Sequence, residues 1–186
     1  MNRIKRKLKD NHGFTLTEML TVLLVMGLLF SFVGGGVVVV KTAYDNITLQ
    51  AEAQTLASTT LTAVMDDLRF AVEIKGDAGT GDITAVKFDS LSRNYRMGFV
   101  NDASNGICVQ PINKNSADDS DMAPIPVVTA ETMTSRLITQ MTSLAYQYDA
   151  AYGTEVFTVT VEVYKVGEPD QAILSDTQIV RPVNAK

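Results

Sequence analysis

The chain has 186 residues, a formal net charge of −5, one histidine and one cysteine. The charge is uneven: residues 1–13 hold five of the 16 basic residues, whereas residues 14–186 hold 11 basic and 20 acidic ones. Such an acidic body argues against direct binding of nucleic acid. His12 lies in the basic leader and Cys108 is alone, so zinc sites, Ser-His-Asp triads and an intrachain disulfide are not expected. We therefore expect a protein that is not an enzyme and needs no cofactor.

A long uncharged run follows the basic leader. The 22 residues from Met19 to Val40 carry no charge, and as a helix they would span roughly 33 Å, enough to cross a bilayer. A secretory signal has a shorter apolar core of about 7–15 residues, and here Lys41 stands where a small residue would precede cleavage. The basic leader predicts a cytoplasmic amino terminus and an extracytoplasmic body. An ordinary signal anchor fits these facts as well.

The junction between the leader and this run is more specific. It reads Gly13-Phe14-Thr15-Leu16-Thr17-Glu18, which resembles the class III signal of type IV prepilins and pseudopilins. The resemblance implies cleavage between Gly13 and Phe14 by a prepilin peptidase and N-methylation of the new Phe14 terminus. It also implies that Glu18 is used in assembly, and that the partners include other pilin subunits, the cell membrane and a pilus assembly platform.

Elementary electrostatics supports a role for Glu18. An ionised carboxylate in hydrocarbon costs roughly 2.5–3.5 kcal/mol even on the mildest scale, so it is expected to have a partner. Cleavage would create an amine at Phe14, one helical turn away, and staggered helices would bring Glu18 within reach of a neighbour's amine. Wrong staggers would leave charges unpaired, so such a pair would set the register between subunits.

The absence of proline before Pro111 favours one long helix from Phe14 to about Lys75. Gly34-Gly35-Gly36 interrupts it either as a hinge or as a close helix–helix contact, and the sequence does not choose between these readings. Helical spacing then predicts a buried stripe at Leu56, Ala57, Leu61, Val64, Met65, Leu68 and Val72. Asp66, Asp67 and Arg69 are expected on the exposed side.

Short alternating runs predict strands after the helix. We expect these strands at residues 83–88, 95–100, 107–112, 143–148, 155–166 and 173–180. An Asn105-Gly106 hairpin turn and a turn at residues 167–170 are also expected. The predicted fold class is α+β, with the long helix packed on a carboxyl-terminal antiparallel sheet. The expected segments are a cleaved leader (1–13), a membrane and assembly helix (14–40), an amphipathic helix (41–75) and an extracytoplasmic β-rich domain (76–186).

Two further features of the chain are the acidic loop 113–124 and the single cysteine, Cys108. The acidic loop 113–124 could bind calcium through Asp118, Asp119 and Asp121, but a solvated loop is favoured because the EF-hand pattern fails. Cys108, between Ile107 and Val109, is expected to be a buried apolar side chain.

The leading functional prediction is a structural subunit of a type IV pilus or a type II secretion-like pseudopilus. Size and the carboxyl-terminal sheet suggest a minor pilin or pseudopilin. Before assembly it would be a single-pass protein of the cell membrane, and after assembly part of an extracytoplasmic or cell-surface filament. The alternative is a signal-anchored extracytoplasmic binding domain that does not polymerise.

Overall fold

A computed structural model describes residues 14–76, 81–112, 122–128, 136–151 and 153–183. The chain divides into two compact units, Met1–Ile47 and Thr48–Lys186. The single described helix, α1, spans Leu16–Arg69 and contributes to both units.

In the first unit, the described residues are an exposed stretch of α1. Side chains are exposed from residue 14 to residue 47. The helix α1 is long and apolar enough to cross a membrane, with a mean hydropathy of 2.5 over an 18-residue window. The helix continues without a break through Gly34–Gly36 and the valine run 37–40, as expected for one long helix from Phe14 onward. A Cβ added at any of the three glycines would meet no atom within 4 Å. Contacts within the described chain therefore do not require glycine there.

The end of α1 corrects the sequence prediction. The helix ends at Arg69, and Ala71–Lys75 form a strand, β1, although helix was expected to about Lys75. The carbonyl of Arg69 accepts from the N–H of Val183 (2.9 Å), and the carbonyl of Phe70 accepts from the N–H of Leu91 (3.2 Å). Continued helix would need these same carbonyls for its own ladder. Hydrogen bonds from residues far along the chain thus take the place of the last expected turn of the helix.

The first sheet has five antiparallel strands in chain order. They are β1 (Ala71–Lys75), β2 (Lys87–Ser90), β3 (Tyr95–Asp102), β4 (Gly106–Ile112) and β5 (Ile125–Pro126). The predicted strand at 83–88 is largely wrong, because residues 83–85 form a turn. The β3–β4 hairpin is confirmed, with a three-residue turn in which Asp102 pairs with Gly106. Gly106 has φ +69°, the left-handed conformation that favours glycine.

The second sheet has three antiparallel strands. They are β6 (Leu137–Asp149), β7 (Thr154–Lys165) and β8 (Glu168–Val180). Each of these strands overlaps a predicted one, at residues 143–148, 155–166 and 173–180. The turn between β7 and β8 is shorter than expected, since residues 168–170 already belong to β8. Two sheets, rather than the one expected, thus follow the helix.

The carboxyl-terminal part of α1 packs against both sheets in the second unit. Its buried residues are Ala53, Leu56, Ala57, Thr60, Leu61, Val64, Asp67 and Leu68. Leu61, Val64 and Leu68 join Phe88, Phe99 and Phe157 from the sheets in the larger apolar core, and Ala53, Leu56 and Ala57 join Leu137 and Val163 in a second one. The predicted α+β class, a long helix packed on antiparallel sheets, is confirmed.

A side-chain amide links the two sheets. The Asn101 amide donates to the carbonyl of Met141 and accepts from its N–H, both at 2.9 Å. This contact lies where the register of β6 against β7 shifts, between Met141 and Ser143. Asn101 therefore satisfies two backbone groups on the edge of β6, as a neighbouring strand would.

Candidate processing and assembly site

The predicted processing site lies at the start of α1. Gly13 is outside the described residues, and Phe14, the predicted new terminus, is 78% exposed. Thr15 lies just before the first helical residue, Leu16, so Thr15 is the residue placed to cap the helix. A helix leaves its first four backbone N–H groups without partners in the helix. In an apolar medium those groups need partners from side chains.

Glu18 and Thr15 each accept a hydrogen bond from the backbone N–H of the other. The carboxylate Oε2 of Glu18 accepts from the backbone N–H of Thr15 (2.9 Å) and from its hydroxyl (2.8 Å). In return, Thr15 Oγ1 accepts from the backbone N–H of Glu18 (3.3 Å). This reciprocal arrangement is a capping box, in which a Thr and a Glu three residues later each satisfy a free donor. The carboxylate is also at the positive end of the helix dipole.

The next hydroxyl groups are satisfied within the helix. Thr17 Oγ1 donates to Thr15 Oγ1 at 3.4 Å, and Thr21 Oγ1 donates to the carbonyl of Thr17 at 2.8 Å. The first turns of α1 therefore present one carboxylate, held by its own chain, ahead of a run that is uncharged from Met19 to Val40. These hydrogen bonds lower the free-energy cost of placing the polar first turn of α1 near a membrane.

The capping box was missed by the sequence analysis, which gave Thr15 no role of its own. The pattern Thr-x-x-Glu ahead of an apolar run is a local signal for such a box, and residues 15–18 match it. Glu18 was instead assigned to a subunit contact. The two roles are compatible, because a carboxylate has two oxygens and about four acceptor positions, and all the contacts above use Oε2.

Other candidate chemistry is limited. Among the described residues, no group of three or more His, Cys, Asp or Glu side chains could hold a metal ion. The proposed calcium ligands Asp118, Asp119 and Asp121 lie outside the described residues. Cys108 is buried, as predicted, and burial raises the pKa of its thiol, with a smaller contribution from Asp102. A buried thiol with a raised pKa is a poor nucleophile.

Comparison with known proteins yields one family match. Residues 8–34 match the prokaryotic N-terminal methylation motif, a stretch that contains the Gly13–Phe14 junction and Glu18. None of the curated proteins and none of the solved structures compared with the chain matches it significantly.

The amino-terminal motif and the fold point to the same class of protein. A prepilin-type amino-terminal motif leads into a long apolar helix, and that helix continues into an α+β unit of pilin-like architecture. The chain is therefore consistent with a type IV pilin or pseudopilin. The motif points to a structural protein rather than an enzyme.

Proposed function

We propose that the chain is a structural subunit of a type IV pilus or of a type II secretion-like pseudopilus, with the character of a minor pilin or pseudopilin. The observation that carries the proposal is the methylation-motif match at residues 8–34, on a helix whose apolar side chains are exposed from its first residue. The subunit is inserted as a prepilin with its leader in the cytoplasm. A prepilin peptidase then cleaves between Gly13 and Phe14.

The segments of the chain have separate roles in this proposal. Residues 1–13 are the leader, residues 14–40 hold the precursor in the membrane and later join the filament, and the β-rich unit faces outward. The apolar side chains of residues 14–40 have no partner within the described chain. Lipid covers them before assembly, and neighbouring helices replace lipid afterwards. The partners are therefore the peptidase, the membrane, the assembly platform and other pilin subunits.

Glu18 is the assembly residue of the proposal. Its Oε2 is occupied by Thr15, which leaves Oε1 for the amine of a neighbour's Phe14. In a water-poor bundle, an amine that lacks a paired carboxylate is strongly destabilising. The contact therefore selects the stagger between adjacent helices, in the way that one polar residue fixes the register of a coiled coil.

Mass spectrometry of the amino terminus tests processing. The mature chain is expected to begin at Phe14 and to carry one methyl group on its terminal nitrogen. An intact Met1 would contradict the proposal and favour a signal-anchored binding domain that does not polymerise.

A pair of variants tests assembly separately from processing. Glu18→Ala is expected to be inserted and folded but absent from filaments sheared from cells. The matched control is Asp45→Ala, which removes an exposed acid further along α1 and should assemble normally. Equal incorporation of both variants would exclude the assembly role of Glu18.

A further inference from the structure

Three exposed apolar side chains lie around the carboxyl-terminal end of α1. Phe70 is 41% exposed, Leu91 60% and Val183 64%. The N–H of Leu91 donates to the carbonyl of Phe70, and the N–H of Val183 donates to the carbonyl of Arg69. The two hydrogen bonds hold the three residues at one end of the second unit. We call Phe70, Leu91 and Val183 the helix-end patch.

Two arginines flank the helix-end patch. Arg69 precedes Phe70, and Arg181 lies two residues before Val183; both are exposed, and neither forms an ion pair with another described residue. Arg93 is different, because Asp67 binds its guanidinium. One exposed carboxylate, Asp66, lies on the preceding turn of α1. The patch is thus apolar with a surplus of cations.

The net charge of this patch is opposite in sign to the net charge of the rest of the processed chain. Residues 14–186 carry 11 basic and 20 acidic residues. A cationic patch on an acidic body attracts other copies of the same body, since complementary potentials favour encounter and fix orientation. Two copies of the patch, by contrast, would repel each other, because four arginines would meet. Charge complementarity therefore favours a contact between the patch and a different, acidic surface.

We propose that the helix-end patch is a subunit–subunit surface that docks onto an acidic face of a second copy of this chain. The contact is heterologous, because one surface meets a different one. Heterologous contacts generate rings or open helical filaments, whereas self-complementary contacts generate closed dimers. The inference rests on the proposed function and adds a contact between β-rich units to the contact between amino-terminal helices.

The occupancy of the patch can be tested by photo-crosslinking in living cells. In the full-length chain, Leu91 is replaced by p-benzoylphenylalanine, and the membrane and filament fractions are irradiated. The expected product is a crosslinked dimer of this chain. The crosslinked peptide of the second copy should come from an acidic region of its sequence. The control places the same probe at Val166, which is 55% exposed in the turn between β7 and β8, and its dimer yield should be several-fold lower.

Charge reversal tests the role of the arginines. Arg69→Glu together with Arg181→Glu is expected to lower the Leu91 dimer yield roughly tenfold, because two attractive contacts become repulsive. Lys75→Glu, a reversal at another exposed position, should leave the yield unchanged. Thermal unfolding of both variants by circular dichroism establishes that they fold, as expected for exposed substitutions.

The outcomes separate this inference from the proposed function. Absence of a dimer in a chain correctly processed at Phe14 would overturn the docking surface alone. A crosslink from Leu91 to the partner's Leu91, or to other proteins only, would also overturn it. A dimer formed by a chain that is never cleaved would support the surface and refute the proposed function.

Discussion

Asp67 and Arg93 join the end of α1 to the turn between β2 and β3 through two parallel hydrogen bonds. Nε of Arg93 donates to Oδ1 of Asp67 at 2.9 Å, and Nη2 donates to Oδ2 at 3.0 Å. The Asp67 side chain is 6% exposed and that of Arg93 is 33% exposed. The hydrogen bond to Asp67 is the main reason that the pKa of Arg93 is raised above its ordinary value. The pair fixes where the helix ends against the first sheet.

Replacing Asp67 should therefore destabilise the fold. Removing one partner of a buried pair costs about 3–5 kcal/mol, and the partial exposure of Arg93 places Asp67→Ala at about 3 kcal/mol or slightly below. Thermal unfolding of the full chain in mild detergent, followed by circular dichroism, measures the loss. Asp66→Ala is the matched control, because Asp66 is the exposed neighbour, and it should change stability by no more than about 0.5 kcal/mol. Equal effects of the two substitutions would show that the ion pair contributes nothing.

The same pair shows where sequence reasoning stops. Asp67 was predicted to be exposed because Asp66, Asp67 and Arg69 form a charged cluster, but its partner is 26 residues away. Local patterns carry no information about such a contact. The end of α1 was misplaced for a related reason, since Val183 and Leu91 supply the hydrogen bonds that stop the helix. By contrast, β6 and β7 were predictable because buried residues recur at alternate positions along them and this alternation is local.

The candidate site divides in the same way. Glu18 and the Gly13–Phe14 junction were selected from a contiguous motif, and their roles in assembly and processing stay predictions. The Thr15–Glu18 box could have been predicted, since all its parts lie within four residues. The docking partner of the helix-end patch was beyond sequence reasoning. Phe70, Leu91 and Val183 are distant in sequence and meet only through the fold.

Thr15 should influence assembly through its hydroxyl. Thr15→Val removes the hydroxyl donor to Glu18 and the acceptor for the N–H of Glu18, while the backbone N–H of residue 15 remains. Loss of a cap of this type costs about 0.5–2 kcal/mol of helix stability, and Glu18 then loses one of its fixed contacts. We expect several-fold less of this variant in sheared filaments, with unchanged insertion in the membrane.

Thr15→Ser is the matched control for this prediction. Serine keeps the hydroxyl and is an equally good cap, so its incorporation should equal that of the unmodified chain. If valine and serine variants assembled equally well, the hydroxyl of Thr15 would have no part in positioning Glu18.

The turn between β3 and β4 should make stability depend on acidic pH through Asp102. Its Oδ1 accepts from the backbone N–H groups of Ser104 (2.9 Å) and Asn105 (2.8 Å). These bonds, that of Ser104 first, hold the pKa of Asp102 below its ordinary value of 3.8. A lowered folded-state pKa means that the carboxylate stabilises the fold above the ordinary value. That stabilisation is lost as the pH falls through the folded-state value.

The measurement compares the unmodified chain with Asp102→Ala across this pH range. The difference in thermal midpoint should be largest near pH ~7 and should shrink as the pH falls below the ordinary value of 3.8 and the carboxylate becomes protonated. Asp102→Asn supplies the control, because its amide oxygen can accept the same N–H groups without a charge. Its stability relative to Asp102→Ala should vary little with pH. A pH-independent effect of Asp102→Ala would refute the electrostatic explanation.

Gly106 should be much less tolerant of a side chain than Gly153, another described glycine of the second unit with a positive φ. Its φ of +69° disfavours a side chain, and an added Cβ would lie 2.8 Å from the carbonyl oxygen of Thr139 on β6. Gly153 has a similar φ of +65° but has no atom within 4 Å of an added Cβ. Both alanine variants therefore bear the left-handed strain of about 1–2 kcal/mol, and only Gly106→Ala bears the collision as well. The thermal midpoint of Gly106→Ala should fall clearly below that of Gly153→Ala, because β4 must move away from β6 and the Asn101–Met141 link between the sheets weakens. Equal midpoints would mean that the chain accommodates the added Cβ beside Thr139 at no cost, which would contradict a rigid close approach of β4 to β6.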